Sequence, residues 1–266
     1  LAEGDWDGAF KAAKRVIDEG GYAVGTKSDL TGGMNSLDKQ NVMWGAGIQV
    51  ADQAGCYAWF FTHMDNKEGA YAKSAPKLIS KQLYNRISAT DIRRDWWDPS
   101  DKESPYVSKK FSFANVASFL GDYIYMRVEE MYFTAAEAAL RLDDLKSARE
   151  LMNTVMAERD PGYSANNRSG TLLGATTTTW TGSFLENILT HRRIELWGEY
   201  GRLFDVRRLG QGIDRRTDDG FSEECISMMN RRNVNITKAD TYDWVLTIPK
   251  AELDANPNIN EEDQNP

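Results

Sequence analysis

Cysteine and histidine are scarce in this sequence. Its 266 residues include two cysteines, Cys56 and Cys225, and two histidines. Two cysteines cannot build a multi-disulfide framework, and no CxxC motif or Cys/His cluster indicates a zinc or redox site. The HExxH spacing of zinc proteases is also missing. We therefore expect no metal or cofactor, while the cysteines leave the cellular compartment undecided.

Long hydrophobic runs and basic clusters are missing as well. The longest strongly apolar run, residues 54–61, is too short to cross a bilayer, which takes about 20 residues. The chain has 32 Lys and Arg against 40 Asp and Glu, a net charge of -8. This charge repels phosphate backbones, and no basic run with interleaved aromatic residues offsets it. We expect no nucleic-acid partner.

The composition is otherwise that of a globular protein, with 41% hydrophobic and 27% charged residues. Aromatic residues make up 11%, and the 8 tryptophans are many for this length. Tryptophan and tyrosine are enriched at binding surfaces, although most of them belong to cores.

The segment 183–210 carries the most information. Ser183 followed by Glu186 forms a capping box and predicts a helix start. One stripe of the predicted helix contains Leu185, Ile188, Leu189, Arg192, Leu196 and Leu203. An arginine in an apolar stripe needs an acidic partner.

We interpret Arg192 as half of a structural ion pair whose partner is Glu195, Glu199 or Asp205. The alternatives are a role in catalysis, in ligand binding, or beside a metal site formed by His191, Glu195 and Glu199 at helical spacing.

Three other helices are predicted from apolar periodicity. The first follows Gly4 and Asp5 and ends at Gly20 and Gly21; its Trp and small residues resemble the second helix of a tetratricopeptide hairpin. Residues 123–142 form the second helix, and Asp143 or Asp144 caps the third, which ends near Pro161. The last two match a tetratricopeptide hairpin. A single repeat helix cannot bury its apolar face alone, so we expect the natural polypeptide to continue before Leu1.

The remaining segments are predicted to be short or irregular. We expect a polar loop at 25–41 and strand-like or irregular aromatic segments at 41–66. Pro76 should start a short helix, and Thr90 with Asp91 should cap a turn that leads to Trp96. Residues 244–253 predict a short strand and one helical turn, followed by an extended acidic tail.

Four segments together carry a family resemblance. They are GDWDGAFKAAKRVIDEGGY (4–22), GDYIYMRVEEMYFTAAEAAL (121–140), HRRIELWGEYGRLFDVRRLG (191–210) and IPKAELDANPNINEEDQNP (248–266). In this order they resemble the C-terminal half of SusD/RagB-family proteins of the Bacteroidetes.

The resemblance implies a mostly α fold of tetratricopeptide-like helical hairpins with long irregular loops and a few short strands. Residues 1–266 would be the C-terminal part of one SusD-like domain. Its expected parts are a tetratricopeptide-like helix (1–24), an irregular aromatic-rich ligand side (25–121), a tetratricopeptide-like hairpin (122–161), and the signature helix with loops and tail (162–266).

The resemblance also implies a lipoprotein on the extracellular face of the outer membrane. Its lipid anchor would lie in the missing N-terminal part of the same protein, which is one expected partner. Another is a SusC-like TonB-dependent transporter, to which the protein would deliver captured oligosaccharide. Peptide is the ligand of some RagB-type members and remains an alternative. A glycoside hydrolase and a ligand-free structural scaffold are further alternatives.

The candidate ligand-binding residues are aromatic, since sugar rings stack on aromatic faces while carboxylates and amides bind their hydroxyls. We name Trp96 and Trp97 with Asp98, because two adjacent tryptophans cannot both face inward on one helix or strand. Lesser candidates are Tyr57, Trp59 and Trp180. Each is more often a core residue than a ligand contact.

Overall fold

The computed structural model describes residues 1–52, 60–167, 182–199, 201–211 and 247–264. Its helices are α1 (Trp6–Glu19), α2 (Lys27–Thr31), α3 (Phe60–Met64), α4 (Ala70–Ser74), α5 (Lys81–Tyr84), α6 (Val128–Arg141), α7 (Leu145–Ala157), α8 (Phe184–Glu195), α9 (Arg202–Arg208) and α10 (Lys250–Ala255). The strands are β1 (Val42–Ala46), β2 (Trp97–Asp98), β3 (Val107–Ser108) and β4 (Tyr123–Arg127). Turns of 3₁₀ helix span Ile92–Trp96, Ala165–Asn167 and Glu261–Asp263. The mostly α-helical fold is confirmed.

Helix α6 is the centre of a helical layer, because α1, α7 and α8 all pack against it. Its small side chains Ala135, Ala136, Ala138 and Ala139 are buried, and small residues at a contact let helix axes approach closely. Around them lies a core cluster that includes Phe133, Leu140, Ala148, Met152, Val155, Phe184, Leu185 and Ile188. The predicted hairpin is confirmed: Asp144 caps α7 by accepting a hydrogen bond from Ser147 N at 3.0 Å.

The segment 123–142 is not a single helix as predicted. Its first five residues form β4, which pairs antiparallel with β1, and α6 begins only at Val128. Tyr123, Ile124 and Tyr125 are β-branched or aromatic and favour strand. Ile124 and Val128 also fall at helical spacing. In so short a stretch, this chance spacing resembles the pattern of an amphipathic helix.

The predicted start of α8 is confirmed, and its predicted length is wrong. Ser183 Oγ accepts from Glu186 N at 3.1 Å, but the helix ends at Glu195 and the chain turns before α9. Gly198 allows the turn, because its φ is +73° and a Cβ there would lie 2.7 Å from the Phe111 ring. Leu203 is consequently 51% exposed and does not continue the buried stripe.

The region 25–121 packs around a second core cluster, formed by Leu30, Phe61, Ile79, Leu83, Ile87, Trp96, Trp97, Phe111, Phe113 and other buried residues. The predicted loop 25–41 contains α2, which has a capping box between Thr26 and Asp29. The helix predicted at Pro76 begins instead at Lys81, because residues 77–79 are extended beside residues 106–108. The predicted turn after Asp91 is present, with Arg93 N donating to Asp91 Oδ1 at 2.9 Å.

The tail is not extended as predicted. After α10 it forms the turn Glu261–Asp263. Gln264 then bonds back to Ile248, with its Nε2 3.0 Å from the Ile248 carbonyl oxygen. The strand expected from residue 244 begins outside the described residues. No helix in the described ranges is long and apolar enough to cross a membrane.

Candidate functional site

The tryptophan pair proposed as a ligand site lies in the core instead. Trp96 is 2% exposed and Trp97 1% exposed, and the Trp96 indole N–H donates to the Leu30 carbonyl oxygen at 2.9 Å. The 3₁₀ helix ends at Trp96, and the backbone is extended at Trp97. Because the conformation changes between the two residues, both rings can face inward, which a single helix or strand would forbid.

The other proposed ligand contacts fall in two groups. Asp98 is partly exposed, but its Oδ1 accepts from Ser100 N at 3.0 Å and from Ser100 Oγ at 2.7 Å. These hydrogen bonds lower the pKa of Asp98, and they give the side chain a turn-forming role. Tyr57, Trp59 and Trp180 lie outside the described residues.

Arg192 has two acidic partners. Its Nε donates to Asp205 Oδ2 at 3.0 Å, and its Nη2 donates to Glu130 Oε1 at 2.7 Å. Asp205 was among the three expected partners, whereas Glu130 was not expected. Arg208 also donates to Asp205, at 2.8 Å, and it donates a further hydrogen bond to Glu137. These ion pairs tie α8 and α9 to α6.

Glu195, proposed as an Arg192 partner or metal ligand, belongs to a separate buried network. Its two oxygens accept from Arg93 at 3.1 Å, from Arg127 at 3.0 Å and from Arg159 at 3.0 Å. All four side chains are fully buried. Burial alone would raise the pKa of Glu195, yet Arg159, Arg127 and Arg93 hold the pKa of this carboxyl well below its usual range. His191, the other proposed metal ligand, lies with Nδ1 2.9 Å from Arg93 Nη2.

The network extends to Glu199 and joins the two core clusters. Glu199 Oε2 accepts from Arg127 Nε at 2.8 Å, and its Oε1 is paired with Lys110 Nζ. Burial lowers the pKa of Lys110 to about 8 although Glu199 favours its charge. The charges balance, with four cations and four carboxylates: Arg93, Lys110, Arg127, Arg159, Asp91, Glu129, Glu195 and Glu199. Buried charges matched in this way are structural, since each is satisfied by another protein group.

A pocket of about 570 Å³ opens beside this network, on the sheet of β1 and β4. Two exposed aromatic side chains belong to it, Trp44 at 61% and Tyr125 at 43% exposure. Their rings meet edge to face, with centroids 5.0 Å apart. The rest of its described lining consists of Met34, Phe60, Phe111, Tyr123, Ile124, Met126, Glu130 and Glu199.

The strand geometry explains how the aromatic pair is presented. The β1 to β4 register shifts on both sides of Trp44, and such bulges redirect a side chain from the regular pleat. The next residue is Gly45, where a Cβ would overlap the Tyr123 carbonyl oxygen and the Leu37 side chain. Tyr123 in turn fixes the pocket wall, because its hydroxyl accepts from Phe60 N at 2.9 Å.

This aromatic pair is not among the ligand contacts predicted from the sequence. The helix predicted over 123–142 includes Tyr125, and the strand-like or irregular segments predicted at 41–66 include Trp44 among several aromatic residues. The signal was the run Tyr123–Arg127, whose aromatic and β-branched residues favour a strand. A strand there would have placed Tyr125 beside another aromatic-rich strand.

The polar end of the pocket contains two carboxylates. Glu130 comes from the first turn of α6, and its side chain is 16% exposed. Glu199 follows α8, and its side chain is 11% exposed. Burial would raise the pKa of Glu199, but Arg127 and Lys110 lower it. The site therefore combines an aromatic rim, an apolar wall and fixed hydrogen-bond acceptors, as small-molecule binding sites do.

This architecture is a mostly α-helical fold with an aromatic-rimmed pocket. The family model of the SusD family matches residues 56–266. The chain belongs to the SusD family.

Several solved structures from Bacteroides species have the same fold. A SusD superfamily protein from Bacteroides thetaiotaomicron matches with a TM-score of 0.70 at 21% identity, over 99% of this chain and 57% of its own. A SusD-like carbohydrate binding protein from Bacteroides vulgatus matches with a TM-score of 0.60 at 25% identity, over 78% of this chain and 42% of its own.

A further match is the surface glycan-binding protein A from Bacteroides uniformis, with a TM-score of 0.56 at 18% identity, over 99% of this chain and 58% of its own. The chain thus spans about half the length of these relatives. No curated protein sequence matches it.

Proposed function

We propose that this chain is part of a cell-surface protein that captures oligosaccharide, without catalysis, and delivers it to a SusC-like TonB-dependent transporter. The observation that carries the proposal is the exposed Trp44 and Tyr125 pair at a pocket that ends in two carboxylates. The apolar face of a sugar ring packs on such aromatic rings, while its hydroxyls donate to carboxylate oxygens. Membership in the SusD family supports this function.

Two of the structural relatives support the same ligand class. The Bacteroides vulgatus protein is described as carbohydrate binding and the Bacteroides uniformis protein as surface glycan-binding. We extend this proposal to the location, namely the extracellular face of the outer membrane, with a lipid anchor in a preceding part of the same protein. The proposed ligand contacts of the described chain are Trp44, Tyr125 and Glu130; Tyr57, Trp59 and Trp180 stay as predictions.

Both pocket carboxylates are held in ion pairs, Glu130 with Arg192 and Glu199 with Arg127 and Lys110. Glycosidases need one carboxyl group that stays protonated near neutral pH to protonate the leaving group. Glu199 is not suited to that role, since Arg127 and Lys110 outweigh burial and lower its pKa. Release of reducing sugar from any glycan of the test panel by the purified chain would contradict the absence of catalysis.

Binding is tested with a panel of neutral and acidic oligosaccharides, and with casein peptides for the RagB-type alternative, which the apolar pocket wall would also suit. We expect oligosaccharide binding that Trp44→Ala or Tyr125→Ala weakens about tenfold, equivalent to about 1.4 kcal/mol. The matched control is Tyr71→Ala, since Tyr71 is 48% exposed and does not line the pocket. Equal affinity of all three variants and the wild type would remove the pocket from the proposal. Binding of peptides but of no oligosaccharide would make peptide the ligand.

Delivery is tested separately by co-purification. The chain, expressed together with the preceding part of its own protein, should co-purify with an outer-membrane barrel from its native host. Glycan binding without such a barrel would leave capture in place and contradict delivery. Barrel association without any ligand would favour the structural scaffold.

A further inference from the structure

The pocket has an uneven charge distribution. Its charged side chains are Glu130 and Glu199, and no lysine, arginine or histidine is among its described lining residues. The cations that pair with these carboxylates lie deeper. Lys110 and Arg127 are fully buried behind Glu199, and Arg192 is 7% exposed against 16% for Glu130. Each ion pair therefore presents its negative end to the pocket.

The two carboxylates also differ in how many hydrogen bonds they can still accept. A carboxylate accepts about four. Glu199 already accepts three, from Lys110 and twice from Arg127. Glu130 accepts one from the described part of the chain, from Arg192 at 2.7 Å, and its second oxygen accepts none from these residues. A ligand that reaches Glu130 can donate to this oxygen, and sugar hydroxyls are donors.

The described lining of the pocket holds no group that could receive a ligand's negative charge. The donors of its described side chains are neutral, namely the Trp44 indole N–H and the Tyr123 and Tyr125 hydroxyls. A uronate or sulfate group bound here would lose water, gain no cation and approach like charges. The chain's net charge of -8 adds repulsion at longer range.

We infer, resting on the proposed function, that this pocket selects neutral, hydroxyl-rich oligosaccharides and discriminates against carboxylated and sulfated glycans, with Glu130 as the discriminating residue. The aromatic rim tolerates any sugar with an apolar ring face. Glu130 accepts hydroxyl donors and repels acidic groups. The inference names a ligand class for the site, which the family membership does not supply.

The first experiment compares probes on the chain Leu1–Pro266. The neutral probes are malto-, cello-, xylo- and manno-hexaose, and the acidic probes are hexagalacturonate, an alginate hexamer and a chondroitin sulfate hexasaccharide. Isothermal titration should give the highest affinity for a neutral probe and at least tenfold lower affinity for every acidic probe. An acidic probe as the tightest ligand would overturn the inference and leave the proposed function standing, whereas binding of no probe would overturn both.

The second experiment assigns the discrimination to Glu130. Glu130→Gln retains an oxygen acceptor for Arg192 and removes the charge, so the ratio of acidic to neutral affinity should rise at least fivefold. Glu103→Gln is the matched control, because Glu103 is exposed and does not line the pocket, and its ratio should equal that of the wild type. An equal rise in both variants, or no rise in Glu130→Gln, would overturn the role of Glu130.

A third measurement needs no variant. Raising NaCl from about 20 to about 300 mM shortens the Debye length severalfold. The wild-type affinity for hexagalacturonate should then rise relative to that for the tightest neutral hexaose. A relative fall would mean that a cation attracts the acidic probe, which would overturn the inference even if Glu130→Gln fails to fold.

Discussion

Replacing Glu195 with glutamine tests whether the buried ion network stabilises the fold between its two core clusters, which it contacts at Met156 and at Trp96. Glu195 lies on α8 and contacts arginines from three other segments, Arg93, Arg127 and Arg159. All of these side chains are fully buried. Glutamine has nearly the same shape, so the substitution removes charge without leaving a cavity.

The magnitude follows from the charge balance. The network contains four cations and four carboxylates, and the variant leaves one cation in excess within the core. The new amide N–H₂ group also points a donor at arginine donors. Removing one partner of a buried pair costs about 3–5 kcal/mol, a large part of the roughly 5–15 kcal/mol that stabilises a typical domain. At roughly 2–4 °C per kcal/mol, the melting temperature should fall by about 6–20 °C.

Thermal melting followed by circular dichroism, together with urea unfolding, measures the effect. Glu150→Gln is the matched control, because Glu150 and its partner Lys146 are 66% and 86% exposed at 3.9 Å. Exposed pairs contribute at most about 1 kcal/mol, so the control should melt close to the wild type. If Glu195→Gln melted within about 2 °C of the wild type, the network would not stabilise the fold as argued.

Further substitutions test the acid stability of the network, the Arg192 ion pairs and the turn at Gly69. The folded-state pKa of Glu195 is lowered well below 4.5. The stability that its charge contributes is therefore complete above pH 4.5 and is lost as the pH falls through the folded-state pKa. Acid unfolding curves should show a smaller loss of stability below pH 4.5 in Glu195→Gln than in the wild type. Arg192→Leu leaves Glu130 without its cation and removes one of the two cations that Asp205 contacts, so urea unfolding should show a loss of about 3 kcal/mol. A normally folded variant that loses only ligand would contradict the structural role. Gly69→Ala would place a Cβ 2.6 Å from two backbone carbonyl oxygens, so the free energy of unfolding in urea should fall by about 1–3 kcal/mol. Gly4→Ala cannot serve as a control, because the φ of Gly4 is +76°. An unchanged free energy of unfolding in Gly69→Ala would mean that the turn between α3 and α4 relaxes.

The candidate site shows what sequence patterns can and cannot predict here. Apolar periodicity and capping residues predicted α1, α7 and the start of α8, since these signals act within a few residues of the chain. The same periodicity wrongly extended α6 back to Tyr123. A strand is stabilised by its partner, in this case β1, which lies about 80 residues earlier in the chain.

The aromatic residues illustrate the limit more directly. The adjacency of Trp96 and Trp97 predicts that at least one of them is exposed, because adjacent side chains point in opposite directions within one regular element. The chain changes conformation between them, so both are buried. Trp44 and Tyr125 gave no such signal and are exposed, because their two strands pair at the edge of a pocket.

The amino-acid order is enough to infer the family, the helical class of the fold, and the need of Arg192 for a buried acidic partner. These properties depend on local periodicity, on a linear signature, and on the high cost of burying an unpaired charge. The folded structure alone shows which carboxylates meet which cations and which tryptophans reach the solvent. Those choices depend on contacts between residues far apart in the chain, such as Arg127 with Glu195 and Trp44 with Tyr125, and no local pattern encodes them.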